Sequence, residues 1–251
     1  MRKRNGNRAV QFEALENREL MAVDVNFNSG TGALNIRGTA GDEHIILVSN
    51  GGNKTEVFLN WNKVSARVNG VLQESLPTNG IRSITANLGG GRDEFHSWGY
   101  DANALNPNSV DIVLGRGVNQ RVNIDMGEVR NIRVDARGAV ATTVTLSNTS
   151  VTDRIFVNMG GDGSVSNDWL ILNGSDIKTL EASMGGGNDT IRLENTSIQN
   201  VNVLMGAGND SVQDWGNNSI RAGVIDGGSG TEDSMPDSLR RRVRAVGFER
   251  K

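Results

Sequence analysis

The sequence predicts an all-β protein: a right-handed parallel β-solenoid (a β-helix) over residues 81–235, entered through an N-terminal β-hairpin and strand lid. Three observations predict it. Short alternations of Val, Ile and Leu fill the chain, with no long amphipathic run of helix formers away from its two ends. A glycine-rich turn recurs at a spacing of about 21 residues, and a second turn built on Asn and Ser recurs half a period later. Glycine is abundant, 32 residues against 3 prolines, so the turns are of the kind that use left-handed backbone.

Composition narrows the function classes. Aromatic residues make up 4% of the chain, too few for a large aromatic core. There is no Cys, which removes disulfides and thiolate metal sites. Two histidines, His44 and His96, are too few and exclude a multi-histidine zinc site. No apolar stretch approaches the ~18 residues of a membrane-spanning helix. Residues 81–235 hold 19 acidic against 11 basic side chains, whereas residues 236–251 hold 2 against 6. An acidic middle argues against nucleic acid, whose phosphates need basic surface, and suits divalent cations.

The elements follow in order. Residues 1–22 begin with Arg2, Lys3, Arg4 and Arg8 but lack the apolar stretch of a secretory signal. Phe12, Glu13, Leu15, Glu16, Arg18, Leu20 and Ala22 fall in the pattern F-E-x-L-E-x-R-x-L-L, with Asn17 and Met21 where Pro and Leu are usual. This segment resembles the short sorting segment near the start of many planctomycete exported proteins. The resemblance implies an exported protein, extracellular or at the cell surface. A bare amphipathic helix is the other reading.

Residues 23–80 read as strands and hairpins, with Asn69-Gly70 as a two-residue type I′ turn, and form the lid. From Ile81 the rungs open at Ile81, Val110, Val129, Val151, Ile177, Ile198 and Ile220. Stacked coils bring Ile177, Ile198 and Ile220 into one column and Met184 and Met205 into another, which buries aliphatics that no single short strand could bury alone. An antiparallel β-sandwich is the alternative architecture. The basic tail, 236–251, caps the last rung, with Val243 to Val246 as a final half-rung.

The turns carry the candidate chemistry. Met184-Gly-Gly-Gly-Asn-Asp189 and Met205-Gly-Ala-Gly-Asn-Asp210 repeat a Gly-x-Gly-x-Asp pattern, seen again at Asp93. Asp168 follows the expanded Gly160-Gly-Asp-Gly163 turn. The pattern resembles the hemolysin-type (RTX-like) nonapeptide repeats of exported bacterial proteins. That resemblance implies calcium held between turns of neighbouring coils by Asp189 and Asp210, with Gly185, Gly187, Gly206 and Gly208 supplying carbonyl oxygens and Asp168 and Asp93 as further ligands. The chain departs from that pattern at Leu88, Met184 and Met205, where the first Gly is expected. Glu43 and Glu232 stand for Asp at two turns, and Asn119 follows Gly115-Arg-Gly117. Such an Asp also serves as a turn cap, accepting backbone N–H groups with no ion.

These features point to a non-catalytic structural or adhesive repeat array, stabilised by calcium, that meets a cell-envelope or extracellular polymer or protein and associates end to end. A β-helix polysaccharide lyase or hydrolase is the alternative, with Asp125, Arg130, Arg133 and Asp135 as its acid/base candidates.

Overall fold

The computed structural model describes residues 23–50, 52–99, 104–160 and 166–249. The sorting-like segment, Tyr100 and the Gly161–Gly163 part of the expanded turn lie outside them. The chain is a parallel β-solenoid of about seven coils. Each coil contributes one strand to each of two walls. The first wall stacks Ala33–Thr39, Ser83–Gly89, Ser109–Val113, Glu128–Asp135, Ser150–Asn158, Asp176–Gly186, Ser197–Ala207 and Ser219–Asp226, each parallel to the next. The second stacks His44–Asn50, Glu94–Gly99, Arg121–Asp125, Thr143–Ser147, Trp169–Asn173, Thr190–Glu194 and Ser211–Trp215. Parallel ladders throughout the stack overturn the sandwich alternative.

Alternation along each strand sends one set of side chains between the walls. Ile198 is in register with Ile177 on one side and Ile220 on the other, and all three are buried. Ile191 continues the column of Phe95, Val122, Val144 and Leu170 on the opposite wall. Met159, Met184 and Met205 close the core at the corner where the first wall ends, each fully buried. Burying an aliphatic side chain is worth roughly 1.5–3 kcal/mol, so a coil becomes stable only against its neighbours.

Two expectations need correction. The stack begins before Ile81, because Ala33–Thr39 and His44–Asn50 already pair in parallel with the coil that follows. What lies outside the stack is Asp24–Asn28, antiparallel to Ala33–Thr39, and an excursion led by Lys54–Leu59, antiparallel to His44–Asn50. Hairpin signals in this excursion, Asn69-Gly70 among them with Val68 opposite Val71, hid the coil turn at Gly38–Gly41. Val110 is the second correction. It is in register with Ile84 and Ile132, three residues beyond the column of Val129. Pro107 occupies the corresponding buried place, and a proline lacks the Val/Ile signal that marks the other rung openings.

The tail closes the far end. Asp237–Arg240 is one helical turn, and Arg244–Val246 runs parallel to Val224–Asp226 as a last half-rung. Met235, Leu239 and Val243 cover the core, while Arg240 donates to the carbonyls of Met235 and Glu249.

Candidate functional site

The turn leading into every strand of the second wall ends on one side chain that faces inward. Strand register aligns Glu43, Asp93, Gln120, Thr142, Asp168, Asp189 and Asp210, and the bridge between Ser211 and Ser234 adds Asp233. All eight are buried. The four aspartates singled out from the sequence therefore share one column. Glu43 belongs to it as read. At the other two departures the structure differs: Gln120 takes the place read as Asn119, and Asp233 the place read as Glu232, each one residue later.

Each of the five aspartates caps the coil before it. The N–H of Glu43 donates to Asp93 Oδ1 at 3.1 Å, that of Thr142 to Asp168 Oδ1 at 2.6 Å, and that of Asp168 to Asp189 Oδ1 at 2.8 Å. Asp189 and Asp210 donate in turn to Oδ1 of Asp210 and Asp233, both at 2.8 Å. Parallel coils leave these N–H groups without a ladder partner, and a carboxylate one coil away supplies it. The second oxygens behave differently. Asp168 Oδ2 receives the Ser166 hydroxyl at 3.2 Å, but Oδ2 of Asp93, Asp189, Asp210 and Asp233 is buried and unpartnered.

Charge in such a place is disfavoured. Burial is the main cause that pushes Asp93 and Asp189 up to about 7 and Asp168 and Asp210 up to about 6, against the backbone N–H bonds that lower them. Neighbouring acids add to the rise: Glu43 for Asp93, Asp168 and Asp210 for Asp189, and Asp233 for Asp210. The opposite edge of the rod performs the same capping with neutral groups. There Met126, Thr149 and Thr196 donate their N–H groups to Thr149 Oγ1, Ser175 Oγ and Asn218 Oδ1.

The four candidate glycines sit in the same turns with φ between 111° and 134°. A Cβ at Gly206 or Gly208 would overlap the carbonyl oxygen of Gly185 or Gly187 in the preceding coil. Glycine is thus required by coil stacking, and the carbonyls of Gly185 and Gly187 are directed at the next coil's glycine. The donors that fit a cation are the free carboxylate oxygens. Outside the column, Asn188 and Asn209 run a second, exposed ladder in the opposite sense: Asn188 N–H donates to Asn167 Oδ1 and Asn209 N–H to Asn188 Oδ1, both at 2.8 Å.

The acid/base candidates are not gathered into one place. On the first wall Arg133 pairs with Asp111 at 2.9 Å and with Asp135, and Arg130 with Asp153 at 3.7 Å, while Asp135 also pairs with Arg137 in the turn that follows. Asp125 stands on the second wall.

The structure also joins residues that the sequence reading set aside. His44, Glu94 and His96 bring ligand atoms within 4.8 Å of one another on the outer side of the second wall. On the sequence alone two histidines are too few for such a site. The missing signal was register, since His44 lies opposite Glu94 and one pleat from His96 only once two coils stack. No protein-family model, curated protein or solved structure matches the chain.

Proposed function

We propose that this chain is a non-catalytic structural or adhesive rod of an exported surface or matrix protein, with its acid column closed by calcium at neutral to alkaline pH and by protons below it. One observation carries the reading: Asp189 Oδ2 and Asp210 Oδ2 are buried, unpartnered and one coil apart. Calcium takes six to eight hard oxygens, and a protonated carboxyl turns its second oxygen into a donor. Either one removes the cost of packing like charges about 4.8 Å apart, the spacing of paired strands. Because the carbonyls of Gly185 and Gly187 face the next coil, the affinity belongs in the weak range of roughly 10⁻⁴–10⁻³ M. Surface location rests on the resemblance of residues 12–22 to a sorting segment. The partner is an envelope or extracellular polymer or protein, and copies associate end to end.

Thermal melts at pH 8 with millimolar calcium and then with chelator test the column. A ligand that binds only the folded state adds RT ln(1 + [L]/Kd), about 1.4 kcal/mol at tenfold excess over Kd. An unchanged midpoint removes calcium from the proposal. Turnover of any member of a panel of acidic and neutral polysaccharides overturns the non-catalytic reading in favour of a lyase or hydrolase.

A further inference from the structure

We propose that His44, Glu94 and His96 form a binding site for a first-row divalent cation of the zinc type, clamping the first two coils together. His44 sits at the start of its strand and Glu94 directly opposite it in the next coil, with His96 one pleat along. Alternation turns all three to the outside of the wall. Glu94 Oε2 lies 3.7 Å from His44 Nε2 and 3.4 Å from His96 Nε2. A tetrahedral zinc ion with bonds of about 2.0–2.1 Å separates its ligand atoms by roughly 3.3 Å, so two edges are close to their bound lengths already. Two imidazoles and one carboxylate leave a fourth position for water or a ligand atom, and the nitrogen donors select against calcium.

Three further observations point the same way. His44 Nε2 is buried and makes no hydrogen bond. His96 Nδ1 is 3.0 Å from the side-chain amide of Asn123 in the third coil. That amide, turned to present its oxygen, would hold Nδ1–H and free Nε2 for a metal, the outer-shell contact that ligating histidines commonly have. The third is Trp61. The backbone of His44 is held on both sides by Asn60, which donates to its carbonyl at 2.9 Å and accepts from its N–H at 3.0 Å. The next residue, Trp61, takes a left-handed φ of 68°, costly for a bulky side chain, and meets the His44 ring edge to face, with ring centroids 4.6 Å apart. Trp61, itself 68% exposed, and Trp98 contact the two imidazole rings.

The test uses the full chain without an affinity tag. Zinc is titrated by calorimetry in millimolar calcium, and cobalt is added in parallel to read the visible absorption of a tetrahedral ion. One equivalent of each is expected, with affinity falling at least tenfold in His44→Gln and in His96→Gln and unchanged in Asp189→Asn. Absence of uptake, or uptake undiminished in the double variant His44→Gln plus His96→Gln, overturns the site. Should those variants unfold, the unaltered chain decides. It has only two histidines, so zinc must shield both from diethylpyrocarbonate and chelator must expose them again. Equal labelling with and without zinc refutes the proposal.

Discussion

The backbone N–H of Asp189 donates to Oδ1 of Asp210 across 2.8 Å, and the same bond recurs one coil earlier between Asp168 and Asp189. In these coils a single carboxylate thus both anchors the stack and carries a second oxygen that has no protein partner at either Asp189 or Asp210. The opposite edge shows that Ser, Thr and Asn suffice for the anchoring alone. The free oxygen is the difference between the two edges, and it makes the acid column the part of the rod that responds to solution conditions.

Stability should fall as pH rises through about 6–7 in calcium-free buffer. The folded-state values of Asp93 and Asp189, about 7, and of Asp168 and Asp210, about 6, all lie above the ordinary 3.8. Between 3.8 and 7 the folded chain therefore binds more protons than the unfolded one, so the contribution is full below about pH 4 and lost on going alkaline. Asp135 acts in the other direction: the hydrogen bond from Arg137 holds it low, and its contribution is lost as pH falls through its folded value. Melting midpoints from pH 4 to pH 9 read the balance. A midpoint that climbs steadily from pH 5 to pH 8 would contradict the buried, charge-averse column.

Replacing Asp189 separates anchoring from charge. Asp189→Asn keeps an oxygen to accept the Asp168 N–H and removes the titrating group. It should raise the melting temperature at pH 8, flatten the pH profile and reduce the response to calcium. Asp189→Ala leaves that buried N–H without an acceptor and should cost about 1–3 kcal/mol at pH 5, where the acid is largely neutral. Denaturant melts at pH 5 and pH 8 give both numbers. If Asn and Ala behave alike at both pH values, the hydrogen bond is not what the column provides.

The legible part of this chain was whatever repeats. Ile177, Ile198 and Ile220 recur at 21 and 22 residues, and both their stacking and the alignment of Asp189 with Asp210 follow from that spacing. The first coil was not legible because the excursion over 54–77 separates Ala33–Thr39 from its parallel partner, so no period links them. Gln120 and Thr142 hold column places by register alone, with residue types that carry no acid signal. The histidine cluster was hidden for the same reason. His44 and His96 are 52 residues apart in sequence, a separation that says nothing until the excursion is removed.

Core packing sets a second scale. Ile198 is buried between Ile177 and Ile220, so Ile198→Ala should destabilise by about 2–5 kcal/mol. Leu204 lies on the same strand but is 54% exposed, and Leu204→Ala should fall within about 0.5 kcal/mol of the parent. Equal costs in denaturant melts would mean that Ile198 does not face the core.

Glycine substitutions distinguish stacking from turn conformation. Gly70 and Gly206 both have left-handed φ, 88° and 112°. A Cβ at Gly70 meets nothing within 4 Å, so Gly70→Ala carries only the conformational cost, about 1 kcal/mol. At Gly206 the same atom would overlap the carbonyl of Gly185, and backbone cannot step aside as a flexible side chain does. Gly206→Ala must therefore separate two coils locally and disturb the bond from Asp189 to Asp210 that lies in the same turn. Its cost should exceed that of Gly70→Ala by at least about 2 kcal/mol, with amide hydrogen exchange quickened at Asp189 and Gly187. If the two variants melt together, the glycines of the acid edge are present for flexibility or for a ligand, and close approach of the coils is not the reason for them.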